Sequence, residues 1–186
     1  VSLYRRHILN ANYIYKLPFF TGHGLTHSVL GGWEVAGTAI FQSGAIIANQ
    51  GPGLSVGYDT VGLGGGYTNR PNINGKMRYI KTASQWFDKS IFSAPTPVWA
   101  GGLNQGFGNA GKDSIIGPGR VNFSTSLYKT FAFTERINVQ FRAESFNTFN
   151  HTQFNGVGNG FGNPNFGQVT SVQDPRTLEF GGKFNF

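Results

Sequence analysis

Residues 137–146 read INVQFRAESF. Ile137, Val139, Phe141 and Ala143 alternate with Asn138, Gln140, Arg142 and Glu144, which is the period of a strand with one apolar and one polar face. Four more segments repeat the pattern: HILNANYIYKL from His7, WEVAGTAIFQSG from Trp33, RVNFSTSLYKTFAF from Arg120 and LEFGGKFNF from Leu178. Each is about as long as the ~9–11 residues a tilted strand needs to cross a bilayer. Strands are therefore expected near 5–18, 33–46, 120–133, 137–150 and 176–186. A half-buried sheet in a soluble protein would alternate in the same way, so period alone leaves both environments open.

Composition and connections separate the two. The chain has 186 residues with only 12% charged and 15% aromatic side chains, 28 glycines and no cysteine. Few charges and many rings suit a lipid-facing sheet better than a soluble surface. The turn FTER joins the third and fourth segments closely, whereas a Gly-, Pro- and Asn-rich stretch from 50 to 119 separates the second from the third. Short turns on one side and long loops on the other are the habit of outer-membrane barrels, whereas a loop of that length is foreign to a compact soluble domain. If the strands run up and down in order, Phe19, Trp33, Phe131, Phe133, Phe184 and Phe186 fall at one level and Phe41, Phe146 and Phe149 at the other. Two belts of rings around an aliphatic band are what a bilayer imposes, because rings favour its interfaces.

The fold class expected is all-β, an antiparallel up-and-down meander forming about five strands of a partial transmembrane β-barrel with long outer loops. Val1–Asn10 carries no export signal and no run of about 18 apolar residues occurs, so the chain is expected to be the C-terminal part of a longer protein.

Other functions find little footing. The formal charge of +7 comes from scattered lysines and arginines, and no nucleic-acid-binding motif organises them. His23 and His27 lie four apart but in a glycine-broken segment without a third ligand, and His7 and His151 fall at outer strand ends. The runs GLGGG and GVGNGFG lack the Lys-Ser/Thr and following helix of a phosphate loop. The eight acidic residues are dispersed. No catalytic residue, cofactor or metal site is expected, and the protein is not expected to be an enzyme.

Several pieces in order carry a resemblance: RRHILNANYIYKLPF, LGGWEVAGTAIFQSG, RPN, WFD, FGNAGKDSIIGPG, FRAESFNTFNHTQF, FGQVTSVQDPR and the terminal LEFGGKFNF. Together they resemble the C-terminal barrel of Oar-like TonB-dependent outer-membrane receptors, abundant in acidobacteria. The resemblance implies a place in the outer membrane of a Gram-negative cell and energised uptake of a scarce carbohydrate or metal chelate. It implies as partners membrane lipid, the barrel-assembly machinery, the rest of the barrel with its plug, and the TonB complex acting through an N-terminal part that this chain lacks. A non-transporting adhesin-like or porin-type barrel is the competing class. Within the chain, Arg142, Glu144, Glu179 and Lys183 are expected to face the lumen, with Arg142 and Glu179 as diagonal cross-strand neighbours forming an ion pair. Phe180, Phe184 and Phe186 are expected to form the assembly signal. The outer segments 50–119 and 155–174 are expected to capture substrate, with Tyr67, Trp86 and Trp99 as candidate contacts.

Overall fold

The computed structural model describes residues 4–47, 56–64, 69–101, 106–111, 114–134 and 136–186. They divide into a sheet unit (8–41, 121–152 and 174–186) and a loop unit built from 42–120, 153–173 and the segment ahead of residue 8.

The sheet unit carries five long strands: β1 (Ile8–Lys16), β2 (Trp33–Gln42), β5 (Arg120–Ala132), β6 (Asn138–Phe146) and β9 (Thr177–Asn185). They lie side by side in chain order, β1-β2-β5-β6-β9, as an antiparallel meander with β1 and β9 at the edges. β5 and β6 form a hairpin in which Tyr128 faces Arg142 and Phe131 faces Val139. Its turn is tight because the Phe133 and Thr134 N–H groups donate to the Ile137 carbonyl and the Thr134 hydroxyl accepts from the Ile137 N–H at 3.0 Å. β6 and β9 run in continuous register from Asn138 opposite Asn185 to Phe146 opposite Thr177.

At its far end β6 stops where Asn147 and Asn150 both take φ of 50°, a conformation asparagine tolerates better than most residues. The buried Asn147 side chain staples the reversal, donating to the carbonyls of His151 and Asp174 and accepting the His151 N–H. The β1–β2 connection folds a short helix, α1 (Leu25–Leu30), which positive-φ Gly24 and Gly32 flank. His27 Nδ1 lies 2.5 Å from the Phe20 carbonyl, so this histidine braces the turn.

Alternation sorts the two faces. On the apolar face Trp33 meets Phe141 edge-on, Phe141 lies against Phe180, and Phe41, Phe123 and Phe149 form a row of T-shaped contacts. Phe146 has the parity of Arg142 and Glu144, so the outer belt on this face is Phe41–Phe123–Phe149, a correction to the belt drawn from sequence. Phe123 and Phe133 are ten residue steps apart on β5 and its end. At about 3.3 Å per residue and a tilt of about 40°, that spans about 25 Å, the height of an outer-membrane apolar band.

Tyr13 reaches across the face to bond Thr125 (Oη to Oγ1, 2.9 Å), and its ring occupies the space a Cβ on Gly37 would need. One tyrosine thereby ties together three neighbouring strands.

The loop unit is not the structureless stretch its composition suggests. Phe87 is fully buried and packs on Phe92 and Phe166, with Ile47, Trp86, Ala110, Ile115 and Val157 completing a core. Two small sheets frame it, β3 (Asn72–Ile73) with β4 (Phe92–Ser93), and a bulged β7 (Phe154–Val157) with β8 (Val169–Val172). The buried Thr60 and Asn69 are paired: Thr60 donates to the Gly106 carbonyl, and Asn69 donates to Thr60 and to the same carbonyl. Asp59 accepts N–H bonds from Val61, Gly62 and Gly64, led by Val61, and these hold its carboxyl below its ordinary value of 3.8.

Candidate functional site

The polar face of the sheet is the chemically distinctive surface. Strand parity brings Arg142, Glu144, Glu179 and Lys183 onto it, together with Tyr128, Thr130 and Gln140. Arg142 stacks over the Tyr128 ring at 5.1 Å and approaches Glu144 along its own strand, Nε to Oε1 4.0 Å. Glu144 also accepts from the hydroxyls of Ser126 and Tyr128, both at 3.3 Å.

The cross-strand pair expected between Arg142 and Glu179 does not form. The register does make them diagonal neighbours, with Gly181 opposite Arg142 and Glu179 opposite Glu144. The Tyr128 ring instead holds the guanidinium toward β5, and two carboxylates end up directly opposed, an arrangement that costs stability unless one is well bonded. Glu144 is, through Ser126, Tyr128 and Arg142. Among the described residues Glu179 and Lys183 make no ion pair.

At the turn end this face hollows into an open cavity of about 500 Å³ lined by Lys16, Glu34, Tyr128, Thr130, Gln140 and Arg142. Its mixed charge suits hydrogen bonding to a polar solute or a polar protein surface.

Lys129 escaped notice in the sequence. It has the parity of Leu127 and Phe131 and so falls on the apolar face, where it is 5% exposed. Its ammonium donates to the Gly31 carbonyl just beyond α1 and lies 5.3 Å from the centre of the Phe131 ring. Trp33 Nε1 donates to the Val29 carbonyl at 3.3 Å, so two side chains of the apolar face secure the end of α1. The signal was available: a lysine between two apolar residues of the same parity needs a partner.

The three loop aromatics part ways. Trp86 is a core residue, edge-on to Phe154 with Nε1 donating to the Ile116 carbonyl at 2.9 Å, which corrects its expected role as a ligand contact. Trp99 stands on a 3₁₀ turn (Val98–Ala100) and is 65% exposed, as a stacking ring would be. Tyr67 lies outside the described residues.

Phe180 and Phe184 project from edge strand β9 and Phe186 follows its last residue; the three are 72%, 59% and 94% exposed. One side of β9 pairs with β6, and the other offers backbone groups that no strand among the described residues takes up.

A family model described as an outer membrane beta barrel domain matches residues 1–179. No curated protein and no solved structure matches the chain.

Proposed function

From the premise that this chain belongs to the family of outer-membrane β-barrel domains and resides in the outer membrane, we propose that it forms wall and outer loops of an Oar-like, TonB-dependent receptor. The observation that carries this reading is a wall with an apolar face edged by rings and a polar face bearing Arg142, Glu144, Glu179 and Lys183, joined in one chain to a folded loop unit. The polar face lines the lumen and meets the plug. The loop unit, with Trp99 exposed, meets a carbohydrate or metal chelate outside the cell. Transport runs through gating of the plug by the TonB complex; the chain does no chemistry on its cargo.

The full-length receptor in planar bilayers tests this. A closed pore that conducts only after the plug is unfolded with urea, together with site-specific cross-linking to the periplasmic domain of TonB, is the expected result. A constitutively open pore without cross-links would instead make the protein a porin, and a closed one without cross-links an adhesin-like barrel.

The end of β9 serves assembly on this reading. An exposed edge offers backbone hydrogen bonds for strand addition, and Phe180, Phe184 and Phe186 offer side chains at every second position to the barrel-assembly machinery. Deleting Phe186 from the full-length protein should lower the amount reaching the outer membrane far more than Phe131→Ala does. Equal losses would reduce Phe186 to a member of the ring belt.

A further inference from the structure

The loop unit holds a second, smaller cavity of about 50 Å³, lined by two arginines. Arg5 and Arg120 line it together with Gln42, Asn155 and Gln173, and no acidic residue contributes to its wall. Arg5 is fixed in place: its backbone bridges to Ala45 and one guanidinium nitrogen donates to the Ser43 carbonyl at 2.7 Å. Arg120 opens β5, and its Nε is buried with no hydrogen-bond partner. Neither arginine has a carboxylate within ion-pairing distance among the described residues.

A buried guanidinium donor without an acceptor is costly, and folded proteins rarely leave one so unless something else supplies the acceptor. Two guanidinium groups present up to ten N–H donors and no acceptor, and the three amide side chains beside them can donate as well. The volume holds a few water-sized groups, which matches a carboxylate or phosphate but not a whole sugar ring. We propose that the cavity is an oxyanion site, gripping the carboxylate or phosphate of a solute whose remaining part lies outside it. The fork geometry of arginine favours such planar or tetrahedral oxyanions over halides. The inference adds to the transport reading and does not depend on it, because binding is measured without uptake.

The test uses the full-length protein in non-ionic detergent, titrated with inorganic phosphate (³¹P line width), glucuronate and neutral glucose (saturation transfer from protein to sugar protons). Saturable binding of phosphate or glucuronate, but not glucose, is expected at millimolar concentration or below. Glucuronate binding tighter than phosphate would identify the source as a carboxylated sugar, the reverse a free phosphate. Arg120→Gln should weaken either by at least about tenfold, the scale of losing one charge-assisted bond. Arg120→Lys should weaken it less, and it serves if the glutamine variant fails to assemble. Arg78→Gln, at an exposed arginine paired with Asp88, should change nothing. No saturable binding of either anion, undiminished binding in an Arg5→Gln/Arg120→Gln variant, or an equal loss in Arg78→Gln would overturn the site.

Discussion

The two units bury their apolar residues on opposite terms. Every buried apolar residue among those described lies in the loop unit except Ala39. The sheet instead leaves Leu9, Phe180 and Phe184 more than half exposed. Water would penalise such a face at about 25 cal/mol per Å², whereas lipid does not. The loop unit therefore folds by the hydrophobic effect and the sheet by backbone pairing with lipid as its cover. One chain obeys two solvents, and a substitution of the same kind should have different consequences in each.

The sharpest way to break that comparison is Phe87→Ala, which empties the centre of the loop core and should cost about 3–5 kcal/mol there. Protease should then cut within 56–120 while the full-length protein still migrates as an assembled barrel on unheated gels. Loss of assembly as well would mean that the loop core is needed to build the wall. Next is Phe141→Arg on the lipid face, expected to cost roughly 2–4 kcal/mol and to lower assembled protein, while Gln140→Arg on the polar face is tolerated. Equal tolerance of the two would reverse the assignment of faces. Gly37→Val should cost about 1–3 kcal/mol, because the new side chain meets both the Tyr13 ring and the Ser124 backbone carbonyl. Pairing it with Tyr13→Ala should recover only the part of the loss that the ring causes, the Ser124 carbonyl still being in the way, in urea titrations of the assembled protein, and an additive double variant would show that ring and glycine do not share that space.

The smallest effect is acid. Asp59 and Asp88 both lie in the loop unit and are held below their ordinary value, Asp59 chiefly by the Val61 N–H and Asp88 chiefly by the Ser90 hydroxyl. A depressed carboxylate stabilises the fold above its unfolded value and loses that contribution as pH falls through the folded one. As the pH falls below about 4 the loop unit should become more protease-sensitive while gel mobility of the barrel holds, and Asp59→Asn should flatten that response. A pH-independent cleavage pattern in the parent protein would remove these carboxylates from the account.

The five long strands were legible because pairing and lipid contact both impose a period of two, which INVQFRAESF and LEFGGKFNF display without interruption. The loop core was not, because Trp86, Phe87, Phe92 and Phe166 meet through irregular chain reversals that leave no period. Lys129 and Phe146 show a subtler failure: both belong to recognisable strands, and strict parity places each on the face opposite to the one its chemistry suggests. Arg142 marks a further limit, since the register with Glu179 could be anticipated but the Tyr128 ring that draws the guanidinium away could not. Trp86 was misread because an aromatic in a polar stretch serves binding and packing equally well until its neighbours are known.

The Tyr13 ring lying over Gly37 and bonded to Thr125 also bears on how errors in assembly are rejected. A slip of two residues between β1 and β2 would keep every apolar residue on its proper face, so lipid alone could not detect it. It would, however, bring Val35 or Ala39 beneath the ring in place of Gly37, and either carries a Cβ where the ring must lie. The mismatch falls at one point in the sheet, so this contact penalises a slipped register between β1 and β2.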